Sequence, residues 1–96
     1  MQNLIEKYCY HLLTLNYTKK TIQSQRLYLN RFIKHLREMN ITEITGATKD
    51  TVRDYQTHLF EEFNSRGEPN SVSAQNRNMQ AVKSFFRFLA ENDYLV

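Results

Sequence analysis

Apolar side chains recur along this chain with the 3.6-residue period of a helix, in four stretches parted by short polar breaks. In the first, about residues 2–15, Leu4, Ile5, Tyr8, Cys9, Leu12 and Leu13 form one stripe, and Asn16 and Tyr17 interrupt it. Thr18 then offers a hydroxyl able to cap free helical amides, so a second helix is expected from there to about Met39. At roughly 100° per residue, Ile22, Tyr28, Leu29, Phe32, Ile33 and Leu36 gather on one side of it. Lys20, Gln23, Leu27, Arg31 and Lys34 gather on the other, with Ser24 beside them.

Residues 40–47 read as a connector whose Ile41 and Ile44 tuck under the core. Thr48 is the next cap, and a third helix is expected to about Asn64, burying Val52, Tyr55, Leu59 and Phe63 with Phe60 at the edge. Its Asp54 and Glu61 face outward. Residues 64–70 hold the single Pro and one of the two Gly, which marks a loop. Ser71 caps a fourth helix reaching about Asn92, with a core stripe of Met79, Val82, Phe85, Phe86 and Leu89 centred on Phe86. Ser73, Asn76, Arg77, Gln80, Lys83, Ser84 and Arg87 occupy its opposite face. The expected fold is all-α, a compact bundle of four helices forming one domain over residues 1–96.

Composition agrees. Two Gly and one Pro are too few turn formers for a many-stranded sheet. With 41% apolar and 24% charged residues the chain has ordinary globular usage. The lone cysteine, Cys9, rules out an intramolecular disulfide, and its neighbours Tyr8, Leu12 and Leu13 suit a small buried residue. A chain with no disulfide framework suits a reducing cytoplasm. No apolar run approaches the roughly eighteen residues of a membrane span, and no signal-peptide apolar region opens the sequence. A soluble, cytoplasmic protein without a membrane partner is expected.

The net charge is +3, and its placement says more than its size. Residues 17–39 hold Lys19, Lys20, Arg26, Arg31, Lys34 and Arg37 against Glu38 alone. Residues 70–92 hold Arg77, Lys83 and Arg87 against Glu91. Between them, residues 48–68 set Lys49, Arg53 and Arg66 against Asp50, Asp54, Glu61, Glu62 and Glu68. Two basic segments flanking an acidic one fit either a polyanion-facing side or a solvated face. The first half of the fourth helix is rich in Ser, Asn and Gln, which lower helix propensity. Such side chains serve either base edges, where Asn and Gln suit adenine and Arg suits guanine, or an ordinary helix start.

Catalytic chemistry finds no support. His11, His35 and His58 fall on three different helices without Cys or carboxylate at metal spacing, and His35 and His58 are expected on solvated or boundary faces. No phosphate-binding glycine loop occurs. Glu61 and Glu62 are adjacent, hence about 100° apart on a helix, and form no carboxylate pair. No nucleophile, base and orienting group can be matched. No catalytic residue, metal ligand or cofactor is assigned.

The segment Thr18-Lys19-Lys20-Thr21-Ile22, followed by Leu29 and Phe32, resembles the start of helix two in the core-binding domain of tyrosine recombinases of the phage-integrase type. Ala81-Val82-Lys83-Ser84-Phe85-Phe86-Arg87-Phe88-Leu89 is similar to that family's helix-four signature, Ala-Leu-Arg-Ser-Phe-Phe-x-Tyr-Leu. The first-helix stripe and the Ile41–Ile44 connector also match, and Asn92-Asp93-Tyr94-Leu95-Val96 stands where members pass into a linker. Two positions depart: Gln25 where the family often has Tyr, and Ala74 where it often has Thr, which removes a possible backbone-phosphate contact.

The resemblance implies a SAM-like N-terminal domain that clamps one side of a recombination site, with helices two and four crossing the major groove. It implies double-stranded DNA, the chain's own C-terminal catalytic domain and other recombinase protomers of a synaptic complex as partners. The family's catalytic set, including His-x-x-Arg and a nucleophilic Tyr, lies downstream of this domain, and no His-x-x-Arg occurs here. The six tyrosines, Tyr8, Tyr28 and Tyr55 among them, read as packing residues, and the fragment is not expected to be an enzyme. The expected DNA face comprises Lys19, Lys20, Gln23, Ser24, Arg31 and Lys34 with Ser73, Asn76, Arg77, Gln80, Lys83 and Arg87. A helical protein-interaction domain offering its basic face to an acidic partner is the alternative. A helix-turn-helix regulator ranks third, because the loop holding Gly67 and Pro69 is long for its tight turn.

Overall fold

Thr18, Thr48 and Ser71 each stop the backbone in an extended conformation and turn a side-chain oxygen toward the first helical turn. The Thr18 hydroxyl accepts from the Thr21 amide at 3.2 Å and the Ser71 hydroxyl from the Ala74 amide at 3.1 Å. Thr48 and Thr51 cap each other reciprocally, so two free donors are satisfied at once. These three caps start α2 (Lys19–Glu38), α3 (Lys49–Glu61) and α4 (Val72–Glu91), and α1 spans Gln2–Thr14. The computed structural model describes residues 1–64 and 66–95; Ser65 in the expected loop and Val96 at the end of the expected domain lie outside them.

Three helices end on a left-handed residue: Asn16 (φ 66°), Asn40 (φ 62°) and Asp93 (φ 61°). Asn and Asp tolerate this conformation better than other side-chain-bearing residues. After each, the chain folds back, with Tyr17 donating to the Leu12 carbonyl, Ile41 to Leu36 and Tyr94 to Leu89. A 3-10 turn, Ile44–Gly46, crosses from α2 to α3 and buries Ile44 as expected.

α2 and α4 pack on each other, and α1 and α3 flank this pair without packing together. The slab measures 37 × 30 × 17 Å. Its centre is Leu29, Phe32 and Leu36 of α2 with Val82, Phe85 and Leu89 of α4, joined by Ile5 from α1 and Tyr55 from α3. The four-helix, all-α fold expected from periodicity is therefore the observed one, and among the described residues the extended pairing is a single bridge, Phe63 to Pro69.

Several positions differ from the sequence expectation. α3 ends at Glu61, three residues before Asn64. The Asn64 side-chain carbonyl accepts from the amides of Arg66 (2.9 Å) and Glu68 (3.1 Å), and Gly67 takes φ 75°. This compact turn replaces helix continuation, so Phe63 is 64% exposed rather than in the core; Phe60, within α3 and expected at the edge of its stripe, is exposed too. The α4 stripe is centred on Phe85, 0% exposed, rather than Phe86, which is half-buried. Rotation of the stripe follows from α1, whose Tyr8 and His11 rings meet Phe88 at 5.4 and 5.0 Å and draw it inward. Leu13, Tyr10 and Tyr17 are exposed, so not all tyrosines are packing residues. Cys9 is buried as expected.

His35 is buried, not on a solvated or boundary face. Its Nε2 lies 3.1 Å from Asp54 of α3, and its ring lies 5.2 Å from Tyr55 and 4.9 Å from His58. The α2 pattern alone puts His35 at the rim of the apolar arc, and α3 closes over it.

Candidate nucleic-acid interface

A helix packed along one side keeps its opposite half for solvent, and this sorts the residues expected to touch DNA. Lys19, Lys20, Gln23, Arg31 and Lys34 of α2 are exposed, as are Ser73, Asn76, Arg77, Gln80, Lys83 and Arg87 of α4. Ser24 is half-buried, and its hydroxyl donates back to the Lys20 carbonyl at 3.2 Å. That bond occupies the only proton Ser24 could offer a ligand.

The exposed residues do not form one cluster. Asn76, Arg77 and Gln80 meet Gln25 and Tyr28 across an open groove of about 410 Å³ between α2 and α4. Lys19 and Gln23 line a different groove, toward α1, beside Glu6, Tyr10 and Arg26. Arg31 and Lys34 line a cleft against α3 with Glu38, His58 and Glu62. Lys83 lines a shallow depression with Thr48, Lys49, Val52 and Phe86.

Charge pairing separates the cations further. Arg26 makes a two-point bond to Glu6 of α1, both contacts at 3.0 Å. The hydrogen bond from Arg26 is the main cause that lowers the Glu6 carboxyl below its usual range, and the same bond raises Arg26. Arg53 lies 4.0 Å from Asp50. Among the described residues, Lys19, Lys20, Arg31, Lys34, Arg77, Lys83 and Arg87 enter no ion pair. No carboxylate among the described residues lies within ion-pair distance of them, although Glu38 and Glu62 share the cleft of Arg31 and Lys34.

Amide side chains divide in the same way. Asn70, Gln75, Asn78 and Asn92 each donate to a backbone carbonyl, of Leu59, Asn70, Ala74 and Phe88 respectively. Asn70, Gln75 and Asn92 tie loops and helix ends, whereas the Asn78 bond lies within α4. Gln25, Asn76 and Gln80 make no such bond among the described residues. Gln25 and Tyr28 were not among the residues expected from sequence. Their signal is positional: both sit on the flank of α2 next to the apolar arc, and only the packing of α4 along that flank turns it into a groove wall.

Three potential nucleophiles, Tyr8, Cys9 and Tyr55, are buried in the core. Burial pushes the Tyr55 hydroxyl up to about 12, and desolvation also raises Tyr8 and the Cys9 thiol. Each therefore keeps its proton at neutral pH. Among the described residues no group of three His, Cys, Asp or Glu side chains is placed to hold a metal ion. Among the described residues no helix is long and apolar enough to cross a membrane.

Residues 4–95 match the family model described as phage integrase, N-terminal SAM-like domain. The chain belongs to that family. The match runs through all four helices, so the integrase resemblance carried by the Thr18–Phe32 and Ala81–Leu89 segments extends to the whole bundle. The domain is also similar to tyrosine recombinase XerC 2 of Ralstonia nicotianae (strain ATCC BAA-1114 / GMI1000), with 27% identity over 85 residues. That alignment covers 88% of this chain and 24% of the relative, so the chain spans about a quarter of that recombinase's length. No solved structure matches the integrase domain described here.

Proposed function

We propose that this chain is the DNA-binding domain of a site-specific tyrosine recombinase, gripping duplex DNA through the outer faces of α2 and α4. The observation that carries the reading is the set of eight exposed cations on those two helices, Lys19, Lys20, Arg31, Lys34, Arg37, Arg77, Lys83 and Arg87, none of which enters an ion pair among the described residues. A face that balanced its own charge would have little electrostatic pull on a polyanion. On this reading Lys and Arg chiefly hold phosphates and fix the register, with polar side chains left to read bases. Residues 1–96 act as one domain, in the cytoplasm. Strand cleavage and rejoining belong to a separate C-terminal catalytic domain, and other recombinase protomers join in a synaptic complex.

Titration with duplex DNA at two salt concentrations tests the reading. If about four phosphates are neutralised, affinity should fall roughly a hundredfold between 50 and 200 mM salt, with a log–log slope of about −3.6. Lys20→Ala or Lys34→Ala should flatten that slope by about one and weaken all sequences alike. Glu61→Ala, on α3, should change neither affinity nor slope. Equal effects from Lys20→Ala and Glu61→Ala would refute this face. Binding to acidic polypeptides but not to DNA would favour the protein-interaction alternative.

A further inference from the structure

Three free amides and one unpaired guanidinium converge on the α2–α4 groove, and their chemistry constrains what they can recognise. Gln25 comes from α2, Asn76, Gln80 and Arg77 from α4, and Tyr28 forms part of the wall. Asn and Gln present one donor and one acceptor side by side, which matches N6 and N7 of adenine in the major groove. Arg presents donors only and matches O6 and N7 of guanine. No carboxylate lines the groove, so it offers no acceptor-only group for the exposed amine of cytosine.

We infer that this groove reads a short A·T-rich stretch of duplex containing one guanine, with Asn76 and Gln80 on adenines, Arg77 on the guanine, and Gln25 as a third adenine reader. The inference rests on the proposed DNA-binding reading and adds to it the class of sequence bound.

Geometry sets the spacing. Asn76 and Gln80 lie one turn apart on the same face of α4, about 6 Å along its axis. Successive bases on a strand are about 3.4 Å apart, so a helix lying along the groove sets the two amides about two base steps apart. Arg77 follows Asn76 at once but points about 100° around the helix, toward a different base. Gln23, although it is an amide on the expected DNA face, lies in the α1-side groove and takes no part. The cations outside the groove, such as Lys34 and Lys83, supply affinity without sequence preference.

Selection of bound duplexes from a randomised pool by the full chain tests this directly, followed by titration of the selected site at low salt. The pool should become rich in A·T pairs around a fixed guanine. Replacing the selected adenines by 7-deazaadenine removes the N7 acceptor and keeps base pairing, and should weaken binding about tenfold or more. Asn76→Ala and Gln80→Ala should each erase the adenine preference at one position while leaving binding to unrelated duplex unchanged. Both residues are exposed, and an unaltered melting temperature shows the fold intact. A G·C-rich pool, or deaza-substituted sites bound as well as the parent, would overturn the inference and leave the DNA-binding reading standing. Failure to bind any duplex at low salt would overturn both.

Discussion

Replacing Phe85 by Ala should cost far more stability than the same change at the adjacent Phe86, and the difference measures how α4 is rotated in the bundle. Phe85 is 0% exposed and meets the Tyr8 ring edge-on with centroids 5.7 Å apart. Its loss leaves a cavity walled by α1, α2 and α4, at a cost of about 3–5 kcal/mol. Phe86 is half-buried and touches Phe32 at 5.9 Å from the margin near Val52, where solvent can fill the space left behind. Roughly half its transfer free energy is at stake, about 1.5–2.5 kcal/mol. A domain of this size has about 5–15 kcal/mol in all, and each kcal/mol shifts the melting midpoint by about 4–8 °C. Thermal melting followed by circular dichroism should therefore show Phe85→Ala lower than Phe86→Ala by roughly 10 °C. Equal midpoints, or a larger loss at Phe86, would mean that α4 is rotated from the orientation described.

Other expectations concern pairing, burial and chemistry. Glu6 has its carboxyl lowered chiefly by the Arg26 hydrogen bond, so its contribution is present above the ordinary glutamate range and is lost as pH falls through the lowered value. Both partners are more than a third exposed, which limits the effect to about 1 kcal/mol or less; Glu6→Gln should flatten that part of the acid melting profile, and an unchanged profile would count against the pairing. The Tyr55 hydroxyl is buried without a hydrogen-bond partner among the described residues. Tyr55→Phe should therefore leave thermal stability unchanged or raise it by up to about 1 kcal/mol, whereas a clear drop in the melting midpoint would reveal a partner. Incubation with a suicide DNA substrate should give no covalent protein–DNA adduct on a denaturing gel; a specific adduct would refute the proposal that strand transfer lies outside this chain.

Much of this fold is legible in the sequence because its signals are local. Thr18, Thr48 and Ser71 announce helix starts through hydroxyls acting three residues on, and period-3.6 apolar stripes give each helix its buried half. What escaped depended on neighbours distant in sequence. The loop turn organised by Asn64 won over the apolar pattern that would have carried α3 through Phe63. His35 looks like a boundary residue until α3 closes over it with Asp54 and Tyr55. Phe85 and Phe86 are both apolar and adjacent, and only the arrival of α1 beside Phe88 decides which points to the centre. The candidate site divides along the same line: the exposed cations of α2 and α4 follow from helical phase, whereas Gln25 and Tyr28 join Asn76, Arg77 and Gln80 only through helix packing.

The pairing of α2 with α4 at the centre gives each of these helices two occupations on opposite halves of one cylinder. The inner halves carry most of the core, and the outer halves carry exposed cations without ion pairs among the described residues together with Asn76 and Gln80. Residues such as Asn76, Gln80 and Lys34 can thus change by mutation without a folding penalty, leaving the outer surface free to drift toward new targets. Ser24, Gln25 and Tyr28, half-buried at the seam, lack that freedom, since a change there alters packing and surface together. If the proposed DNA-binding reading holds, retargeting should therefore begin on α4, whose Asn76 and Gln80 are exposed on their side of the groove, and reach the half-buried positions of α2 last.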